Sequence, residues 1–175
     1  MKKHNGNSIV LFVLIASLLM PIYSFGQQQN YKTYSHTKFS IKHPDSFQII
    51  TNPQGLTGVV MIAPANRDGF TNNINVIVSN NSESIDDHSL LSVKDMRRVF
   101  PDFKLESSGF VKINDYQSYR IIVNYSMNGY PVKGIQYCTK KGNSSMYLIT
   151  FTIAAKDYDR LKNSLDTIIN SLVLL

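Results

Sequence analysis

The chain has one cysteine, Cys138, among its 175 residues. A single thiol cannot close an internal disulfide, so the fold must rest on its apolar core. Long apolar runs are missing too. The run near the start, Ile9–Met20, is about a dozen residues and is broken by Pro21, short of the ~20 that a membrane-spanning helix needs. Clustered basic stripes are absent. Beyond Lys2-Lys3, the adjacent basic pairs are Arg97-Arg98 and Lys140-Lys141, which argues against nucleic-acid binding and leaves a weak attraction to anionic surfaces. The sequence also lacks G-x-S-x-G, H-E-x-x-H, P-loop and C-x-x-C patterns, which excludes the hydrolases, zincins, nucleotide-binding proteins and redox enzymes that those motifs mark.

What the N-terminus does have is the pattern of an export signal. Lys2 and Lys3 precede the apolar run, and Ser24-Phe25-Gly26 puts small residues where a signal peptidase reads, which predicts cleavage before Gln27. An uncleaved anchor is the alternative. No cysteine stands at the cut, so a lipoprotein is not expected. Two of the 18 basic residues belong to this signal, leaving 16 basic against 12 acidic residues in Gln27–Leu175. The expected organisation is a signal peptide at 1–26, a loose polar segment at 27–36 and one domain at 37–175. The expected location is the periplasm or the exterior of a bacterium. The three N-x-S triplets at Asn80, Asn124 and Asn143 are accordingly not read as glycosylation sites.

From Thr37 the apolar pattern has a period of two. Strands are expected at Thr37–His43, Phe47–Thr51, Val59–Ala63 and Asn73–Ser79, with a turn at Asn52–Gly55. A helix follows. Asp86 or Asp87 should cap it, Leu90, Val93, Met96 or Arg97, and Phe100 should form its buried stripe, and Pro101 should stop it. An antiparallel meander comes next: Phe103–Ser108, a passage through Gly109 to Phe110–Ile113, then Tyr116–Tyr125, Val132–Lys140 and Ser145–Ile153. Asn114-Asp115, Asn128-Gly129 and Gly142-Asn143 supply the turns, Asn128-Gly129 with type I′ chemistry. Ser145–Ile153 is apolar on both faces at its start, which marks a central strand. A second helix, capped by Asp157, should bury Tyr158, Leu161, Leu165, Ile168 or Ile169, and Leu172. The class is α+β, an antiparallel sheet with at least two helices packed on it.

Candidate chemistry is sparse, and each candidate has a simpler reading. Asp86-Asp87-His88 contains metal-ligand types, but at a helix start successive side chains diverge by about 100°, and capping accounts for the aspartates. His43, Asp45 and His36 could form a small site; a strand end is the simpler account. Cys138 could be a reactive thiol. Its place at strand period with Gly134 and Gln136 reads instead as a small apolar residue. Tyrosines 116, 119, 125, 130, 137 and 147 could form a ligand platform or pair across strands. The loop 63–73 is long enough to carry function, with Arg67, Asp68 and Phe70 at its tip as a candidate partner-binding surface.

The order of these elements resembles the PsbP-like family, which includes the extrinsic PsbP protein of photosystem II and bacterial DcrB-like envelope proteins. The residues that carry the likeness are "YSHTKFSIKHPDSFQI", the F-x-x-N-I-N-V run of Phe70–Val76, "KINDYQSYRIIVNYSMNG", "MYLITFTI" and "IINSLVLL". It covers roughly Tyr34–Leu172. Where family members often carry Trp after the Pro turn, this chain has Phe47. The resemblance implies an α/β/α sandwich with a central antiparallel sheet flanked by helices. It implies that Phe39, Pro44 and Phe47 are structural signature residues, so that His43-Pro44-Asp45 is a corner. It also implies no catalytic machinery; the photosynthetic member helps retain ions at its complex, but no ion-binding motif carries over onto residues here, and no cofactor or metal site is assigned. The expected function is that of an exported, non-enzymatic accessory protein that engages an envelope protein. A small-ligand or metal-binding module is the alternative.

Overall fold

The structure, a computed structural model, describes residues 30–52, 57–100, 102–142 and 145–175. The signal segment 1–26, residues 27–29, most of the turn at 52–55, Pro101 and Asn143 lie outside them. Among the described residues ten strands form: β1 Tyr31–Ser35, β2 Phe39–Pro44, β3 Gln48–Thr51, β4 Gly58–Ile62, β5 Asn73–Asn80, β6 Lys104–Ile113, β7 Tyr116–Met127, β8 Tyr130–Lys141, β9 Ser145–Ala154 and β10 Val173–Leu174. Helix α1 is Ile85–Val99, and α2 is Tyr158–Ile169, entered through a 3-10 turn at Ala155–Asp157.

Seven strands make one antiparallel sheet in the order β3-β4-β5-β9-β8-β7-β6, and a smaller sheet has the order β1-β2-β10. Register and the two-residue strand period assign the faces. Val78, Tyr147 and Thr139 lie side by side, as do Val76, Ile149 and Tyr137, and then Ile74, Phe151 and Ile135. This face carries the main core. Leu165, Ile168 and Ile169 of α2 cover it, together with Phe39, Ile41 and Leu174 of the small sheet. The opposite face carries Ile121 and Val123, covered by Val93 and Met96 of α1. β9 is central, with Met146 and Tyr147, adjacent residues on opposite faces, both buried. The layering is thus helix, sheet, helix, with the small sheet sharing the α2 side.

Several expectations are corrected. The segment 27–36 is not loose over Tyr31–Ser35. This stretch is β1, whose backbone pairs with β2 from Tyr31 against Pro44 to Ser35 against Ser40. The reason is non-local, since β2 offers a free edge. Helix α1 is capped by Ser84, whose hydroxyl accepts the Asp87 N–H at 3.2 Å, while the Asp87 carboxylate accepts from the same hydroxyl. Asp86 and Asp87 occupy the first turn, where their charge suits the helix dipole. The buried side of α1 is also rotated from the expected stripe: Ser89 and Val93 are buried, and Leu90 is 54% exposed. The floor beneath explains the rotation. Gly134, Gln136 and Cys138 point at the helix and are small or polar, so α1 settles close through Ser89 and Ser92, and the Gln136 amide donates to Ser92 at 3.3 Å. A Cβ added to Gly134 would lie 2.9 Å from Val123 and 3.1 Å from Tyr125. Gly109 does not divide β6, which runs unbroken past it with a bulge at Leu105/Ser107. Finally, α2 ends at Ile169, and Val173–Leu174 turns away to pair with β2.

His43-Pro44-Asp45 forms a hydrogen-bonded turn between β2 and β3. His43 is buried and its Nδ1 lies 2.8 Å from the Pro44 carbonyl, to which it donates. The Phe47 N–H donates back to that same carbonyl oxygen, closing the turn, and the Phe47 ring packs on the core rim. Phe39 is fully buried.

Candidate functional site

The loop 63–73 is held at both ends. The Ala63 N–H donates to the Asn72 carbonyl at 2.9 Å, and the Asn66 side-chain oxygen accepts from the N–H groups of Asp68 and Phe70. Asn66 and Asn72 both donate to Asp157 Oδ2, and Arg160 donates to Asp157 Oδ1. Asp157 was expected to cap α2, but its side chain makes no capping bond and ties this loop to the helix entry instead. Burial works to raise its pKa and is outweighed by the bonds from Arg160, Asn66 and Asn72, so its carboxyl titrates below the usual range. Lys156 pairs with Asp68, and the Tyr130 hydroxyl donates to the Asp68 carbonyl at 2.7 Å. Arg67 and Asp68 are exposed. Phe70 is 5% exposed and packs with Val132, Ala154 and the Tyr130 ring. Of the three candidate tip residues, then, two face outward and Phe70 serves as the loop's anchor.

The other sequence candidates are dispersed. His36 accepts from the Lys38 N–H and stacks on Phe39, which is four residues from His43, ~13 Å at strand rise. Asp45 is exposed. His88 lies beside Glu83 and Asn81. Among the described residues, no three His, Cys, Asp or Glu side chains come together as a metal site would require. The tyrosines mostly pack: Tyr119 edge-on against its cross-strand partner Phe110, Tyr125 against Phe100, and Tyr137 against Phe151. Cys138 is fully buried, and burial pushes its thiol up to about 11. With about one thiolate in ten thousand at neutral pH, it should resist a thiol reagent in native buffer and react once denatured. Prompt labelling of the native protein would contradict this placement.

Two surface features were not evident in sequence. The first is the outer edge of β6. This ten-residue strand pairs with β7 on one side, and its other side has no strand partner among the described residues. Leu105 and Phe110 on it are 40% and 55% exposed. Beside it, Phe110, Val111, Lys112, Asp115 and Gln117 line a shallow groove of about 360 Å³. Both ingredients are visible in "KLESSGFVKI", but which strand ends at an edge depends on the topology.

The second is a cleft of about 50 Å³ between α2 and the sheet. Its floor is Ile122, Ile135, Phe151 and Leu165. Its rim holds Arg120, Tyr137, Tyr158, Lys162 and Asp166. Burial raises the Tyr137 phenol pKa, partly offset by the Arg120 charge beside it. Lys133 sits 4.3 Å from the centre of the Tyr158 ring and is itself paired with Glu106 at 2.7 Å. No ion pair among the described residues engages Arg120, Lys162 or Asp166. The rim residues come from β7, β8 and α2, and only the strand and helix packing brings them together.

No protein-family model matches the chain, and no curated protein matches it. Solved structures do. Cyanobacterial PsbP (CyanoP) from Synechocystis sp. PCC 6803 superposes with a TM-score of 0.65 at 16% identity, over 89% of this chain and 99% of that one. LpqN, involved in cell envelope biogenesis of Mycobacterium tuberculosis, gives 0.62 at 13% identity, over 84% and 91%. The Saccharomyces cerevisiae Ran-binding protein Mog1p gives 0.56 at 10% identity, over 83% and 96%. The fold is therefore PsbP/Mog1-like, as the sequence resemblance implied.

Proposed function

We propose that this protein is an exported, non-enzymatic accessory protein that binds an extended segment of an envelope protein along β6. The open edge of β6 carries the reading. Its free backbone N–H and C=O groups can take a further strand, and exposed Phe110 with the adjoining groove can hold that strand's side chains. Long exposed edges are usually blunted by proline, charge or a bulge; here the bulge lies at one end and Ser107–Lys112 continues regularly past it. Two likenesses add support. LpqN is involved in cell envelope biogenesis and Mog1p is a Ran-binding protein. The export signal expected from the sequence supports an envelope or exterior location for this role.

The test is crosslinked affinity capture from the native envelope, with identification by mass spectrometry. Phe110→Asp combined with Leu105→Lys should reduce recovery of the partner at least about tenfold. Leu105 and Phe110 are largely exposed, and Phe110→Asp gives up an edge-on contact with Tyr119 worth about 0.5–1.5 kcal/mol, so a thermal melt checks that the double variant stays folded. Arg67→Ala should leave recovery unchanged. If the double variant captures as well as the parent and Arg67→Ala does not, the partner sits on the 63–73 loop instead.

A further inference from the structure

We propose that the cleft between α2 and the sheet binds the carboxylate head of a small organic acid. Three observations lead there. The first is charge. Arg120 and Lys162 face the cleft against the single carboxylate Asp166, leaving one positive charge over, and none of the three is in an ion pair among the described residues. A guanidinium on a strand, half-buried, presents a planar fork of donors that matches a carboxylate bidentately. The second is size. About 50 Å³ exceeds the 10–15 Å³ that one water needs and suits a head group of a few heavy atoms. A phosphate dianion would be larger and would bring a second negative charge toward Asp166. The third is polarity. The floor is apolar, built from Ile122, Ile135, Phe151 and Leu165, so a short hydrocarbon tail has a surface to rest on.

The rim is also positioned in advance. Tyr158 is held from outside by Lys133, whose charge is taken up by Glu106, and Glu106 is held in turn by Asn124. Tyr137 stands beside Arg120 with its ring packed on Phe151. The Arg120 guanidinium hydrogen-bonds the Tyr137 phenol, which fixes its place while leaving further N–H donors for an anion, and Lys162 is the second cation lining the cleft. This site is separate from the β6 edge, and neither proposal depends on the other.

The experiment titrates purified protein with acetate, butyrate and inorganic phosphate. It follows the arginine side-chain Nε–H resonances by NMR and heat by calorimetry. Acetate should shift the Arg120 resonance saturably with a millimolar dissociation constant, as the few atoms of the ligand allow, and butyrate should bind more tightly. Arg120→Gln should weaken binding about tenfold or more. Asp166→Asn, at an exposed position that does not endanger the fold, should tighten it severalfold, an effect that simple loss of structure cannot produce. Lys94→Gln, exposed on α1 across the opposite face of the sheet, should change nothing. The proposal is overturned by an Arg120 resonance that stays fixed at high carboxylate, by preference for phosphate, or by equal weakening in Lys94→Gln.

Discussion

Replacing Phe70 with alanine is expected to lower the stability of the protein by about 3 kcal/mol, measured by urea unfolding. The ring is 5% exposed and fills a small apolar cluster with Val132 and Ala154, flanked by Tyr125, Met127 and Tyr130. Alanine would leave a cavity that the strands around it cannot close. It would also free the loop, whose two turns about Asn66 place Phe70 where the ring points inward. Arg67→Ala, at the exposed tip of the same loop, should change stability by less than about 0.5 kcal/mol. If Phe70→Ala costs under about 1 kcal/mol, the polar ties of Asn66 and Asn72 to Asp157 hold the loop by themselves, and the aromatic anchor is dispensable.

Gly58→Ala is expected to cost about 3 kcal/mol or more, for a different reason. A Cβ on residue 58 would lie 2.1 Å from the Val76 carbonyl oxygen and 3.0 Å from the Ile77 Cα. Both are backbone atoms of β5, so no side chain can swing aside. The two strands would have to part where Gly58 pairs with Ile77, beside the buried Val59 and Val76. Gly109→Ala is the control. Nothing lies within 4 Å of a Cβ at that position, so alanine there should be close to neutral. Equal melting temperatures for the two variants would mean that β4 does not approach β5 this closely in solution.

The contrast between these glycines shows what a sequence can and cannot convey. Local chemistry was readable. Asn128 and Gly129 have φ of 52° and 82°, as a type I′ turn demands, and the long strands either side of them were expected in the right places. The alternation in "NINVIVS" identified the buried face of β5 correctly, with Ile74, Val76 and Val78 all in the core. Features set by a distant partner were not readable. Tyr31–Ser35 and Val173–Leu174 have little pattern of their own and become strands because β2 has two edges to offer. Leu90 looked like a core residue because a helix wheel says nothing about what lies beneath it; the floor of Gly134, Gln136 and Cys138 favoured Ser89. The same limit hid the cleft. Arg120, Tyr137 and Lys162 are unremarkable in their own segments and acquire meaning through the crossing of α2 over β7 and β8.

The small sheet has a kinetic consequence. β2 is joined to the chain's far end: the Lys42 N–H donates to Ser171 Oγ across 129 residues, and Phe39 and Ser40 pair with β10. By contrast, β6 through β9 are successive hairpins whose partners are neighbours in sequence. Closing a long loop costs entropy before any contact is made, so nearby pairings form early and remote ones late. The meander can assemble on its own schedule. The β1–β2 hairpin can also form locally, but Phe39 and Ile41 complete their burial only when α2 and the chain beyond it arrive. Folding of this domain therefore ends near where its sequence begins.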